Sequence, residues 1–99
     1  MNFYVLKTND SILSLMRRIG YIPTSYSFAV QDEPNFIRPL SRQGYPRFHL
    51  YVKINNGDYL FSLHLDQKKP SYGKHTAHSG EYEGEAVEKE AERIKKALL

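Results

Sequence analysis

Two runs of alternating apolar residues, Phe48-x-Leu50-x-Val52-x-Ile54 and Tyr59-x-Phe61-x-Leu63-x-Leu65, flank Asn56-Gly57, and nothing else in the 99-residue chain constrains the fold as strongly. Period-two alternation is the mark of a strand with one buried face, and Asn-Gly between two such runs marks a β-hairpin. A two-residue turn pairs Ile54 with Tyr59, Val52 with Phe61, Leu50 with Leu63 and Phe48 with Leu65. A slip of one residue would set these side chains against Lys, Ser, His and Asp, so burial of one face selects the register. The opposite face then follows. Arg47 lies across from Asp66, His49 from His64, Tyr51 from Ser62, and Lys53 from Leu60.

The remaining elements are read around this hairpin. Phe3 to Lys7 is rich in β-formers and predicts a short opening strand. Ile12, Leu15 or Met16, and Ile19 recur at helical spacing, which predicts a helix from about residue 10 to 19, capped by Asn9 or Asp10 and stopped by Gly20. Ser25 to Val30 alternates and reads as a strand. From Gln31 to Pro46 three prolines and Gly44 predict a long loop, with at most a turn at Asn35 to Ile37. Gln67 to Glu83 reads as a second long loop, and Gly84 to Ala97 as a closing helix with a narrow stripe of Val87, Ala91, Ile94 and Leu98. The order β-α-β-β-β-α predicts one α+β domain spanning residues 1–99, an antiparallel sheet of three to four strands packed against two helices.

Composition narrows the chemistry. The absence of cysteine removes thiolate nucleophiles, disulfides and cysteine-ligated zinc. No apolar run approaches the roughly 20 residues that span a bilayer, and the first residues lack the pattern of a signal peptide, so a cytoplasmic protein with no membrane partner is expected. Charge is uneven: residues 81–99 carry six Glu against four Lys and Arg, whereas residues 1–80 carry five acids against ten bases. A basic body suits a phosphate-rich partner.

Within that body, Arg47, Tyr51 and Lys53 on the polar hairpin face, and Lys68, Lys69, Tyr72 and Lys74 in the loop that follows, interleave cations with aromatic rings. This combination neutralises phosphates and stacks bases, and it points to nucleic acid, RNA in particular. The opposed imidazoles of His49 and His64 are the candidate catalytic pair. A neutral imidazole could take the proton of a 2′-hydroxyl while Arg47 or Lys53 stabilises the phosphorane, which would be metal-independent cleavage. His64-x-Asp66 sets two donors on one face, and His75-x-x-His78 with Glu81 could complete a set. That spacing matches no diagnostic metal motif, so neither a metal nor another cofactor is expected.

The stretch Leu-Ser-Leu-Met-Arg-Arg-Ile-Gly-Tyr from Leu13 to Tyr21, then three strands with a His on the second, then a closing helix, resembles the HicA-type mRNA interferase toxins. Those are small basic proteins with a fold like the double-stranded-RNA-binding domain. The resemblance implies RNA cleavage centred on His49 as general base. Where that family has Gly-Ser directly before its His, this chain has Arg47-Phe48. The leading expectation is an RNA-binding domain that uses the polar face of residues 47–66 and the basic loop 67–78. The alternatives are a metal-independent ribonuclease, or a protein-interaction module that docks a partner or a second copy through its C-terminal helix or a sheet edge.

Overall fold

A computed structural model describes residues 1–24, 33–67, 80–81 and 84–98. The hairpin forms as its alternation dictates. Strand β4 (Arg47–Ile54) pairs antiparallel with β5 (Asp58–Asp66) in the register Ile54 to Tyr59 through Arg47 to Asp66, with His49 opposite His64. The turn does not draw on left-handed backbone, since neither Asn56 nor Gly57 has positive φ. It is closed by Asn55 instead, whose backbone N–H donates to Asp58 O at 2.9 Å and whose side-chain amide donates to Asp58 Oδ1 at 3.2 Å.

On one side of the hairpin, β1 (Asn2–Leu6) pairs antiparallel with β5, Phe3 opposite Phe61. On the other, β3 (Asn35–Pro39) pairs with β4, and the two-residue β2 (Ile22–Pro23) pairs with β3. The sheet runs β1-β5-β4-β3-β2, and β6 (Gly80–Glu81) adds to the far end of β5. The fold is therefore α+β with an antiparallel sheet, and it has more strands than the sequence predicts. The segment read as a proline-broken loop contains β3. Pro34 precedes that strand and Pro39 ends it, so neither removes a donor from its interior, and Phe36 between them is buried against the core. The second expected loop likewise contributes β6. The strand expected at Ser25 to Val30 lies outside the described residues.

Helix α1 (Ile12–Arg18) is capped by Ser11, not by Asn9 or Asp10. Ser11 Oγ accepts from Ser14 N–H at 3.2 Å, while Asp10 turns to Arg18 at 2.7 Å. Its end carries two crossed bonds, Tyr21 N–H to Met16 O at 2.8 Å and Gly20 N–H to Arg17 O at 3.1 Å, which require Gly20 at φ +89°. Helix α2 (Glu85–Ala97) has acids in its first turn and lysines in its last, matching the macrodipole. Leu15 and Met16 of α1 and Ile19 at its C-cap, with Val87, Ala91 and Ile94 of α2, join Phe36, Phe48, Leu50, Val52, Phe61, Leu63 and Leu65 in one core. Both helices therefore serve the same face of the sheet, and the His49/His64 row falls on the other.

A buried ionic cluster locks the helices together. Glu90, 4% exposed, accepts from the Tyr21 hydroxyl at 2.7 Å and from Arg93 through two bonds of 2.8 Å, with Arg38 at 3.5 Å. Arg93 also donates to Ile19 O at 2.6 Å, satisfying a carbonyl at the end of α1.

Candidate functional site

Strand alternation sends Asn35 of β3, His49 and Tyr51 of β4, and His64 and Asp66 of β5 to the outer face, in neighbouring rows. Asp66 is the hub. Its Oδ2 lies 3.2 Å from His49 Nδ1 and accepts from Arg47 Nε at 3.1 Å, and its Oδ1 lies 2.9 Å from His64 Nε2. Burial raises the carboxyl pKa, but the interactions with His49, His64 and Arg47 outweigh it and hold the group well below the usual carboxylate range.

The second nitrogen of His49, Nε2, lies 3.0 Å from Asn35 Oδ1, which also accepts from the Thr24 hydroxyl at 2.8 Å. Tyr51 stacks on the His49 ring at 4.5 Å between centroids, and the two imidazole centroids are 4.9 Å apart. Arg47 is sandwiched between Asp66 and the Tyr45 ring, 4.5 Å from its centroid. Every side chain of the cluster is thus fixed by at least two neighbours. His49 and His64 are only 9% and 8% exposed, so this is a packed polar cluster, not an open platform.

The residues expected from sequence divide accordingly. His49, His64, Arg47 and Tyr51 come together, organised by Asp66. Lys53, two positions along β4, stays exposed. Lys68, Lys69, Tyr72 and Lys74 lie outside the described residues, as do His75 and His78. Sequence reasoning missed Asn35 and Thr24, because it placed Asn35 in a loop. Recognising Asn35-Phe36-Ile37 as a strand with Phe36 facing the core would have put Asn35 on the histidine face.

A separate feature lies at the sheet edge. An open groove of about 580 Å³ beside β1 is lined by Tyr4, Val5, Leu6, Lys7, Thr8, Lys95 and Leu98. Tyr4 and Leu6 project outward, 66% and 77% exposed. Tyr4 is opposite Leu60, which is opposite Lys53, so an aromatic ring and a cation share one row across three strands.

Comparison with protein-family models, with curated proteins and with solved structures finds no match to this chain.

Proposed function

We propose that the chain is a small nucleic-acid-binding domain with RNA as its favoured ligand. The observation that carries this reading is the exposed row of Tyr4 and Lys53 beside a groove bearing Lys7 and Lys95. An exposed tyrosine gives a base a stacking surface, and lysines around it neutralise phosphates, the combination by which single strands are held. The basic body of the sequence supports the same reading. The contact surface is then centred on the β1 side of the sheet, while Arg47 and Tyr51 of the original set support the packed cluster. Metal-independent cleavage with His49 as general base is less well supported, because both of its ring nitrogens face fixed oxygens of the protein.

The test is a gel-shift titration against single- and double-stranded RNA in EDTA at low and moderate salt, with cleavage scored on the same samples. Tyr4→Ala is expected to cost about 1–3 kcal/mol, one stacked base. Changing Lys7, Lys53 and Lys95 together to Glu should abolish binding at moderate salt and flatten the salt dependence. Unaltered affinity in both variants sinks the reading, and cleavage lost in His49→Ala revives the nuclease. The Lys68, Lys69 and Lys74 charge reversal measures what the loop adds.

A second reading, a protein-interaction module, is favoured by the apolar part of the same groove, Val5, Leu6 and Leu98 beside the edge strand β1. An edge strand offers unpaired backbone groups to a further strand. A mass in light scattering that rises with concentration, and falls in Leu6→Lys, would favour pairing with a second copy.

A further inference from the structure

We propose that His49, His64 and Asp66 form a binding site for a divalent transition-metal ion of the Zn²⁺ or Co²⁺ type, held by two imidazole nitrogens and the Asp66 carboxylate. The inference does not depend on RNA binding, since it concerns the packed cluster and not the groove.

Spacing is the first argument. One ligating atom from each of the three residues lies within 4.8 Å of the other two. The two nitrogen–oxygen approaches are 2.9 Å from His64 and 3.2 Å from His49. Ligands bound at about 2.0–2.1 Å, at angles between octahedral and tetrahedral, stand roughly 2.9–3.4 Å apart. The two approaches end on different oxygens of the one carboxylate, Oδ1 for His64 and Oδ2 for His49, so each imidazole stands at coordination-edge distance from the oxygen it faces, and a carboxylate presenting both oxygens to the ion uses both edges. The two imidazoles that close on the ion are carried on directly opposed positions of one hairpin.

Hydrogen accounting around His49 is the second. Asn35 Oδ1 is an acceptor, fixed by the Thr24 hydroxyl, so the His49 nitrogen facing it, Nε2, carries the hydrogen. A neutral imidazole has only that one N–H. Its Nδ1 lone pair then points at an Asp66 carboxylate oxygen 3.2 Å away. Two electron pairs face one another there unless a cation lies between them, and the cation is either a second proton or a metal ion. The arrangement is that of a metal-ligating histidine, with one nitrogen toward the ion and the other donating to a fixed oxygen that sets tautomer and ring orientation. Tyr51, stacked on the ring, opposes its rotation.

Two imidazoles and one carboxylate favour Zn²⁺, Co²⁺ or Fe²⁺ over Mg²⁺ and Ca²⁺, which prefer all-oxygen sites. Three protein ligands leave a coordination position for water or a ligand. Arg47, on Asp66 Oδ2 at 3.1 Å, steadies the carboxylate, and its charge keeps affinity below that of a site without it.

The full chain, stripped with EDTA and dialysed, is titrated with Co²⁺ by visible absorption and then with Zn²⁺ in competition. One ion per chain is expected, with Co²⁺ bands displaced by one equivalent of Zn²⁺. His49→Gln, His64→Gln and Asp66→Asn should each weaken binding at least about 100-fold, more than loss of an outer-shell partner does. Asn35→Asp should tighten it about 10-fold, because a carboxylate acceptor makes the ligating ring more basic, an effect a purely structural hydrogen bond would not have. Should the ligand variants fail to fold, ¹⁵N spectra of the wild-type imidazoles decide the matter. Zn²⁺ must move His49 Nδ1 and His64 Nε2 while His49 Nε2 keeps its proton. Absence of stoichiometric binding overturns the proposal. So do ring nitrogens that ignore Zn²⁺, binding retained in folded His49→Gln and His64→Gln, or binding weakened by Asn35→Asp.

Discussion

Replacing Glu90 with Met removes the carboxylate on which the helix-locking cluster depends and leaves the Tyr21 hydroxyl and the Arg93 guanidinium behind. Breaking a buried ion pair by deleting one partner costs about 3–5 kcal/mol. The low end, about 3 kcal/mol, applies because the Arg93 side chain is 38% exposed and water recovers part of its charge. Tyr21→Phe removes one hydrogen bond to a charged acceptor and leaves the carboxylate held by Arg93, so about 1.5 kcal/mol is expected. Replacing all three at once, Tyr21→Phe with Glu90→Met and Arg93→Met, leaves no stranded charge. The triple variant should therefore be more stable than Glu90→Met alone, though the Ile19 carbonyl loses its donor. Urea midpoints with a common slope give the free energies, and for a chain of this size 1 kcal/mol moves Tm by about 4–8 °C. If Glu90→Met costs no more than Tyr21→Phe, or if the triple variant is the least stable of the set, the cluster is not the coupled ionic unit described here.

Burial first, and the adjacent Glu90 carboxylate next, push the Tyr21 pKa far above its ordinary value, so its contribution to stability is complete below about pH 10 and declines above it, where only the unfolded chain ionises. Urea midpoints should thus fall less steeply above pH 10 in Tyr21→Phe than in wild type. Asp66 has the opposite sign: its lowered pKa contributes stability that is present above about pH 4 and is lost as pH falls below it, so Asp66→Asn should flatten the acid limb of the same plot. Gly20→Ala meets nothing closer than Arg38 Nε at 3.6 Å, but φ +89° strains it, and a loss of about 1–2 kcal/mol in thermal melts is expected. Leu50→Ala at the centre of β4, fully buried, should cost about 2–5 kcal/mol.

What was legible in the sequence was whatever a short-range period could specify. The β4–β5 register, the Gly20 stop and the α2 stripe rest on spacing and turn chemistry alone, and each is found in the structure. The opposition of His49 and His64 came with the register. What was hidden depended on partners distant in sequence. β3 reads as a loop until β4 is beside it, because its prolines mask a single buried Phe36. Asp66 read as one half of a cross-strand pair with Arg47, whereas it gathers three side chains, Arg47, His49 and His64, only once the sheet is assembled. Glu90 looks like one more acid on a solvated helix. A signal existed, since Glu90 stands three residues after Val87 and four before Ile94, on the buried stripe, where a carboxylate needs a cation and a donor.

The placement of β5 between β1 and β4 also sets an order of assembly. β4 and β5 close through the turn at Asn56-Gly57, whereas β1 reaches β5 only by bringing Phe3 across most of the chain to Phe61. Loop entropy is met early by the hairpin and late by the first strand. β1 precedes β5 in the chain, so it is left without its partner until β5 has been made. Truncating Val52 or Phe61 should slow refolding, and truncating Phe3 should mainly speed unfolding, which rate measurements across a urea series would separate.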